Sequence, residues 1–186
     1  MIMKRMIYLL LAVFLIQTTT AQVTVTNLRC EMLVNPLGIE AKQPRLSWQI
    51  NSNHRNVVQT SYQLIVSSTP GNLLLNKGDV WNSGTVKSSQ SIQVQYTGPA
   101  LKPATHYYWK VLVTTNKRSA TTLQSAFFST GLTADNWKAK WIGYDKGSVW
   151  DSITQWSRLS ARYLRKEFVS KPVVKRAMVY LSGLGM

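Results

Sequence analysis

The sequence predicts an antiparallel β-sandwich, and three observations carry that prediction. Apolar residues alternate at period two in one short segment after another, turn chemistry separates the segments, and helical periodicity is nearly absent. About seven strand-like segments fall within roughly 110 residues, a density that suits two stacked sheets. The 186 residues are 45% apolar and 16% charged, a globular composition.

Val23–Leu28 opens the series, rich in β-branched residues. Asn35-Pro36-Leu37-Gly38 is a turn, with Pro presetting one φ and Gly permitting a positive one. Pro44–Ile50 then places Leu46, Trp48 and Ile50 on one face and Arg45, Ser47 and Gln49 on the other. Thr60–Ser68 repeats the pattern through Tyr62, Leu64 and Val66, and Ser91–Tyr96 is a third alternation. Leu73-Leu74-Leu75 suggests one helical turn within a loop. From Leu101 to Val113 every second residue can share a face, and Tyr107 stands where a tyrosine corner would bury its ring and bond its hydroxyl to nearby backbone. Leu123–Thr130 is the last strand of this unit, closed by Gly131. The pattern resets at Trp137–Tyr144, and Arg162–Val169 and Lys175–Ser182 read as two further strands around Ser170-Lys171-Pro172. Three strand-like segments do not close a sandwich, so the sequence is expected to continue past Met186 in a longer protein.

The first residues read as an address. Lys4 and Arg5 precede an apolar run from Met6 to Ile16, and small residues at Thr19 and Ala21 follow, which predicts a signal peptide over 1–21 cut after Ala21. The run is short of the roughly 20 apolar residues that span a bilayer. The expectation is therefore export to the periplasm or the extracellular space, with no membrane association after cleavage. In an exported chain the single Cys30 admits a free thiol or an intermolecular bridge, but its place near the first strand favours a small buried hydrophobe.

The residue inventory excludes several chemistries. One Cys and two His are too few for a disulfide framework or a structural zinc site, so no metal or cofactor is expected. Glycoside hydrolysis usually needs two facing carboxylates. The seven here (Glu31, Glu40, Asp79, Asp135, Asp145, Asp151 and Glu167) form no recognisable pair. His54 sits in a polar loop and His106 beside the expected tyrosine corner, both read as structural or surface residues. Gly183-Leu184-Gly185 lacks the helix and third Gly of a dinucleotide site. The net charge of +15 gathers partly at Arg158, Arg162, Arg165, Lys166, Lys171, Lys175 and Arg176, interleaved with aromatics. Export and the solvated faces of alternating strands argue against nucleic acid as the partner. Trp150 and Trp156 are the candidate carbohydrate contacts, able to stack on the apolar faces of sugar rings or to pack against a further domain.

Several ordered motifs carry a likeness to a known family. Leu33–Glu40 followed by Pro44–Trp48 resembles the opening of bacterial α-L-rhamnosidases of glycoside hydrolase family 78. The likeness continues through Gln59–Leu64, Asp79–Gly84, Tyr107–Val111, Phe128–Leu132, Trp137–Gly143 and Tyr163–Phe168, and covers Val23 to Met186. The resemblance implies a fibronectin type III/immunoglobulin-like sandwich over 22–131, a linker over 132–140, and over 141–186 the truncated start of a jelly-roll-like second β-sandwich. It implies catalytic acids far downstream in a helical barrel, and no position here matches them, so no catalytic residue is assigned. The parent would be an inverting enzyme that releases terminal α-L-rhamnose from plant glycosides or pectic side chains. The partners implied are its own downstream catalytic domain and a plant glycan. The alternative is a free-standing carbohydrate- or surface-binding module.

Overall fold

The structure is a computed structural model that describes residues 23–117, 119–122, 125–143, 163–170, 172–174 and 176–183. Chain contacts divide it into two compact units after Thr133.

In the first unit, β1 (Val23–Cys30), β2 (Arg45–Ser52) and β5 (Val94–Gln95) form a three-stranded sheet in the order β1-β2-β5. The second sheet is built from β3 (Gln59–Ser67), β4 (Trp81–Asn82), β6 (His106–Thr115), β7 (Ser119–Thr121) and β8 (Ala126–Ser129). Its order is β4-β3-β6-β7, with β8 also paired to β6. All these named strand pairs are antiparallel. Helix α1 (Pro70–Leu74) is a single turn, capped by Thr69 Oγ1 accepting from Asn72 N, and it packs on β3 and β6.

The core lies between the sheets where period-two alternation places it. Leu46 and Trp48 from β2, Tyr62, Leu64 and Val66 from β3, and Tyr107, Trp109, Val111 and Val113 from β6 are all buried. Edge-to-face pairs Trp48–Tyr62 (5.2 Å) and Trp81–Tyr96 (4.8 Å) fill its width. Gly98 makes the second pair possible, because a Cβ there would lie 2.5 Å from the Trp81 ring and the Tyr96 hydroxyl. The tyrosine corner is present: Lys102 N donates to Tyr107 Oη at 2.8 Å.

Two bulges set which residues face inward. In β1 the register slips between Thr26 and Arg29, and Asn27 there has a φ of 50°. The extra residue moves the inward phase from Val23 and Val25 to Cys30, which is 1% exposed. In β3 the slip lies between Gln59 and Ser61 and turns the Gln59 side chain into the core.

Three sequence expectations are corrected. The Ser91–Tyr96 strand is only Val94–Gln95, because Gln93 has a φ of 52° and Ile92 turns out to solvent. The strand expected over Leu123–Thr130 is Ala126–Ser129, and a further short strand, Ser119–Thr121, precedes it on β6; Leu123 and Gln124 lie outside the described residues. In the second unit the described residues of 163–170 and 176–183 carry no strand, and its named element is a 3-10 turn at Ala134–Asn136. Alternation alone does not make a strand, since the extended form needs ladder bonds to a neighbour.

Candidate functional site

Three acidic residues of the described chain, Glu31, Asp79 and Glu167, are held by local partners. The Glu31 carboxylate accepts from Arg45 N and Nη2 at 2.6 Å each, and from Arg45 Nε at 3.2–3.3 Å. The Arg45 side-chain hydrogen bonds hold its carboxyl below the ordinary value. Asp79 accepts from the backbone N–H and hydroxyl of Ser68, and Glu167 pairs with Arg165. Glu40 and Asp135 are exposed, and Asp145 and Asp151 lie outside the described residues. No cluster of His, Cys and acidic side chains suited to a metal occurs among the described residues.

Cys30 is the buried hydrophobe that its position implied: burial, with the Glu31 charge adding, pushes its thiol up to about 12. His54 is exposed, and His106 packs its ring at 4.5 Å from Phe127 and 4.8 Å from Tyr108. Trp150 and Trp156, the candidate sugar contacts, lie outside the described residues.

What the fold does display is a surface. Reciprocal bonds between Cys30 and Leu33 (2.9 and 3.0 Å) close a two-residue turn whose central residues, Glu31 and Met32, have φ of 51° and 63°. Two positive φ angles are the geometry of a type I′ turn, which normally takes Asn-Gly. Here Glu and Met hold it at a cost of order 1–3 kcal/mol for each residue. Bonds beside it over-determine the shape, from the Glu31–Arg45 pair and from Arg29 Nη1 to Met32 O (3.0 Å). The segment is pinned on its other side by Phe127 N to Asn35 Oδ1 (2.9 Å), Ser129 N to Pro36 O (3.0 Å) and Gly38 N to Ser129 Oγ (3.0 Å). So fastened, it leaves Met32, Leu33, Val34 and Leu37 between 46% and 63% exposed. Beside it, a groove of about 650 Å³ on the outer face of the first sheet is lined by Met32, Ile92, Arg29 and Gln49, among others.

In the sequence, Asn35–Gly38 of this segment has the chemistry of a turn, and Leu33–Glu40 is marked by its family motif. Its signal was aliphatic residues without period between two turn residues, Met32-Leu33-Val34 and Leu37 around Asn35 and before Gly38.

The family model of the Rha78A-like, N-terminal immunoglobulin domain matches residues 25–134, more than half of the chain. The chain belongs to this family. An α-L-rhamnosidase of Formosa agariphila is 34% identical over 95% of this chain, and the match covers 21% of that protein. The solved α-L-rhamnosidase of Dictyoglumus thermophilum is 39% identical with a TM-score of 0.61, over 64% of this chain and 14% of that one. The Streptomyces avermitilis α-L-rhamnosidase, solved in complex with L-rhamnose, is 38% identical with a TM-score of 0.62, over 66% of this chain and 12% of that one. The Rha78A-like chain thus spans about a fifth or less of these relatives, and the sandwich of β1–β8 is an N-terminal immunoglobulin-like domain of the rhamnosidase type. Such a domain, in which Glu31 and Asp79 are tied to local partners, is consistent with an accessory role.

Proposed function

We propose that this Rha78A-like chain is the exported, non-catalytic N-terminal region of an α-L-rhamnosidase, and that it supports a downstream catalytic domain. The observation that carries the reading is the match through the sandwich to rhamnosidases about five or more times its length. The local pairing of Glu31, Asp79 and Glu167 supports it, since none of these acids is left free for the paired-carboxylate work of glycoside cleavage. In this reading residues 1–21 direct export, the parent removes terminal α-L-rhamnose from plant glycans, and Trp150 and Trp156 supply any direct sugar contact.

The test assays p-nitrophenyl α-L-rhamnoside with the 186-residue chain and with the complete product of its gene. The expected result is release of nitrophenol by the complete product alone. Turnover by the 186-residue chain refutes the reading, as does a natural stop codon after Met186. That stop codon, with the purified chain retained on a pectic polysaccharide column, would instead make it a free-standing binding module. N-terminal sequencing of the mature protein is expected to begin at Gln22.

A further inference from the structure

On the outer face of the first sheet, period-two alternation turns Ser47, Gln49 and Asn51 of β2 away from the core, and they floor the groove of about 650 Å³. That volume suits a small ligand. Gln49 and Asn51 are exposed, but Ser47 is only 6% exposed, because two rims close over it. Its hydroxyl joins both rims. Gln93 N donates to Ser47 Oγ at 2.9 Å on one side, and Ser47 Oγ donates to Met32 Sδ at 3.9 Å on the other. Bonds from Arg29 Nη1 to Met32 O (3.0 Å) and from Gln90 Nε2 to Ile92 O (3.1 Å) fasten each rim further. The rims themselves are apolar, with Met32 and Ile92 turned to solvent. Asn27, Met32 and Gln93, around the groove, have φ of 50°, 63° and 52°, in the left-handed region. Strain that the surroundings hold in place concentrates at binding sites, and a site shaped in advance loses little entropy when it is filled.

The chemistry of the lining selects the ligand. The described residues that line the groove carry one charge, Arg29, and no carboxylate. Bonds to Asn27 Oδ1 (3.0 Å) and Met32 O fix the plane of that guanidinium and use two of its five N–H donors. A planar fork fixed in this way recognises a carboxylate by paired bonds. A nucleic acid or polyphosphate needs a run of cations, which the groove lacks. Beside Arg29, the carboxamides of Gln49 and Asn51 donate and accept as hydroxyl groups require, and a bond to Thr26 Oγ1 (2.8 Å) orients Asn51. The apolar rims suit the C–H faces of a saturated ring. One carboxylate among several hydroxyls, on a ring with an apolar face, is the chemistry of a uronic acid.

We infer that the groove over Ser47, Gln49 and Asn51 binds a uronic-acid sugar of an acidic oligosaccharide. Arg29 takes the carboxylate, the Gln49 and Asn51 carboxamides take ring hydroxyls, and Met32 and Ile92 cover the C–H faces. The inference goes beyond the accessory reading, which gives sugar contact to Trp150 and Trp156, and no rhamnoside turnover enters its test.

The experiment is isothermal titration calorimetry of the 186-residue chain, with tetramers of galacturonate and of glucuronate, their uncharged methyl esters, and tetraglutamate as probes. The expected result is binding of at least one uronate tetramer, with its ester and tetraglutamate each at least about tenfold weaker. Arg29→Gln should weaken the uronate at least about tenfold and Gln49→Ala about threefold. Lys77→Gln, which removes an exposed cation beside β3 of the other sheet, should leave binding unchanged. That control matters because a chain of net charge +15 attracts any polyanion. Binding of neither uronate tetramer up to about 10 mM overturns the inference. Equal binding of the ester means that no carboxylate is read, and equal binding of tetraglutamate that no sugar is; either overturns it. An equal loss in Arg29→Gln and Lys77→Gln means diffuse charge attraction, and overturns it as well. If Arg29→Gln loses its cooperative urea transition, backbone amide shifts of the wild-type chain decide in its place. Addition of the uronate should then move Arg29, Gln49 and Ile92, and movement confined to other residues overturns the inference.

Discussion

Gln59 joins both sheets and the loop that crosses between them. Its Oε1 accepts from Trp48 Nε1 at 3.0 Å, and its Nε2 donates to Ser88 O at 2.9 Å and Gln90 O at 2.8 Å. Gln59→Ala removes all three bonds. The indole N–H is left inside the core beside Leu46 and Tyr62, where an unsatisfied donor costs about 1–3 kcal/mol. The two loop carbonyls are only partly buried and can turn to water, so each adds about 0.5 kcal/mol. The expected loss is about 3 kcal/mol, or roughly 10 °C in Tm for a domain of this size. Urea denaturation followed by tryptophan fluorescence measures it. The decisive form is a double-mutant cycle with Trp48→Phe, which deletes the indole donor and leaves a ring. In that background Gln59→Ala should cost about 1–2 kcal/mol less than in the wild type. A loss below about 1 kcal/mol for the single variant, or additivity within about 0.5 kcal/mol, would refute the assignment of Gln59 as the tie between the sheets.

Three further outcomes follow from the geometry. Tyr107→Phe removes the hydroxyl that accepts from Lys102 N and should lower stability by about 1 kcal/mol in the same urea titration, without loss of the fold. Cys30, with its thiol pushed up to about 12, should resist iodoacetamide at pH 8 in the native chain and react at once in 6 M guanidinium, as read by mass spectrometry. Glu31 has a folded-state value below its ordinary 4.5, so its contribution is present above that value and disappears as the pH falls through the lower one. Glu31→Gln should therefore reduce stability at pH 7 and flatten the stability profile below pH 4.5, an effect that salt weakens because the pair is partly exposed to water.

The alternation of β2, β3 and β6 was legible because burial on one face of a sheet is written directly into every second residue. Leu46 and Trp48, then Tyr62, Leu64 and Val66, then Tyr107, Trp109, Val111 and Val113 all face inward as their spacing implies. Tyr107 and Cys30 were likewise readable from local chemistry, and so was a single helical turn, read at Leu73–Leu75 and found at Pro70–Leu74. The short strands β4 and β7 were not, because two or three residues carry too little pattern, and their strand form comes from the ladder that β3 and β6 offer them.

The aliphatic segment at 31–38 shows the same division. Its residues are plain in the sequence, but a Glu-Met pair gives no sign of a type I′ turn. That conformation exists because Arg45, Phe127 and Ser129, from strands far along the chain, fasten it from both sides. Sequence alone determined the fold class and the inward faces of β2, β3 and β6, since these depend on composition and near-neighbour spacing, and its ordered motifs carried the resemblance to rhamnosidases. Tertiary structure alone decided the two bulges, the inward turn of Gln59 and the shape of the exposed segment. Each of these is a local conformation that its own residues disfavour, and only contacts from distant strands make it the lowest in free energy.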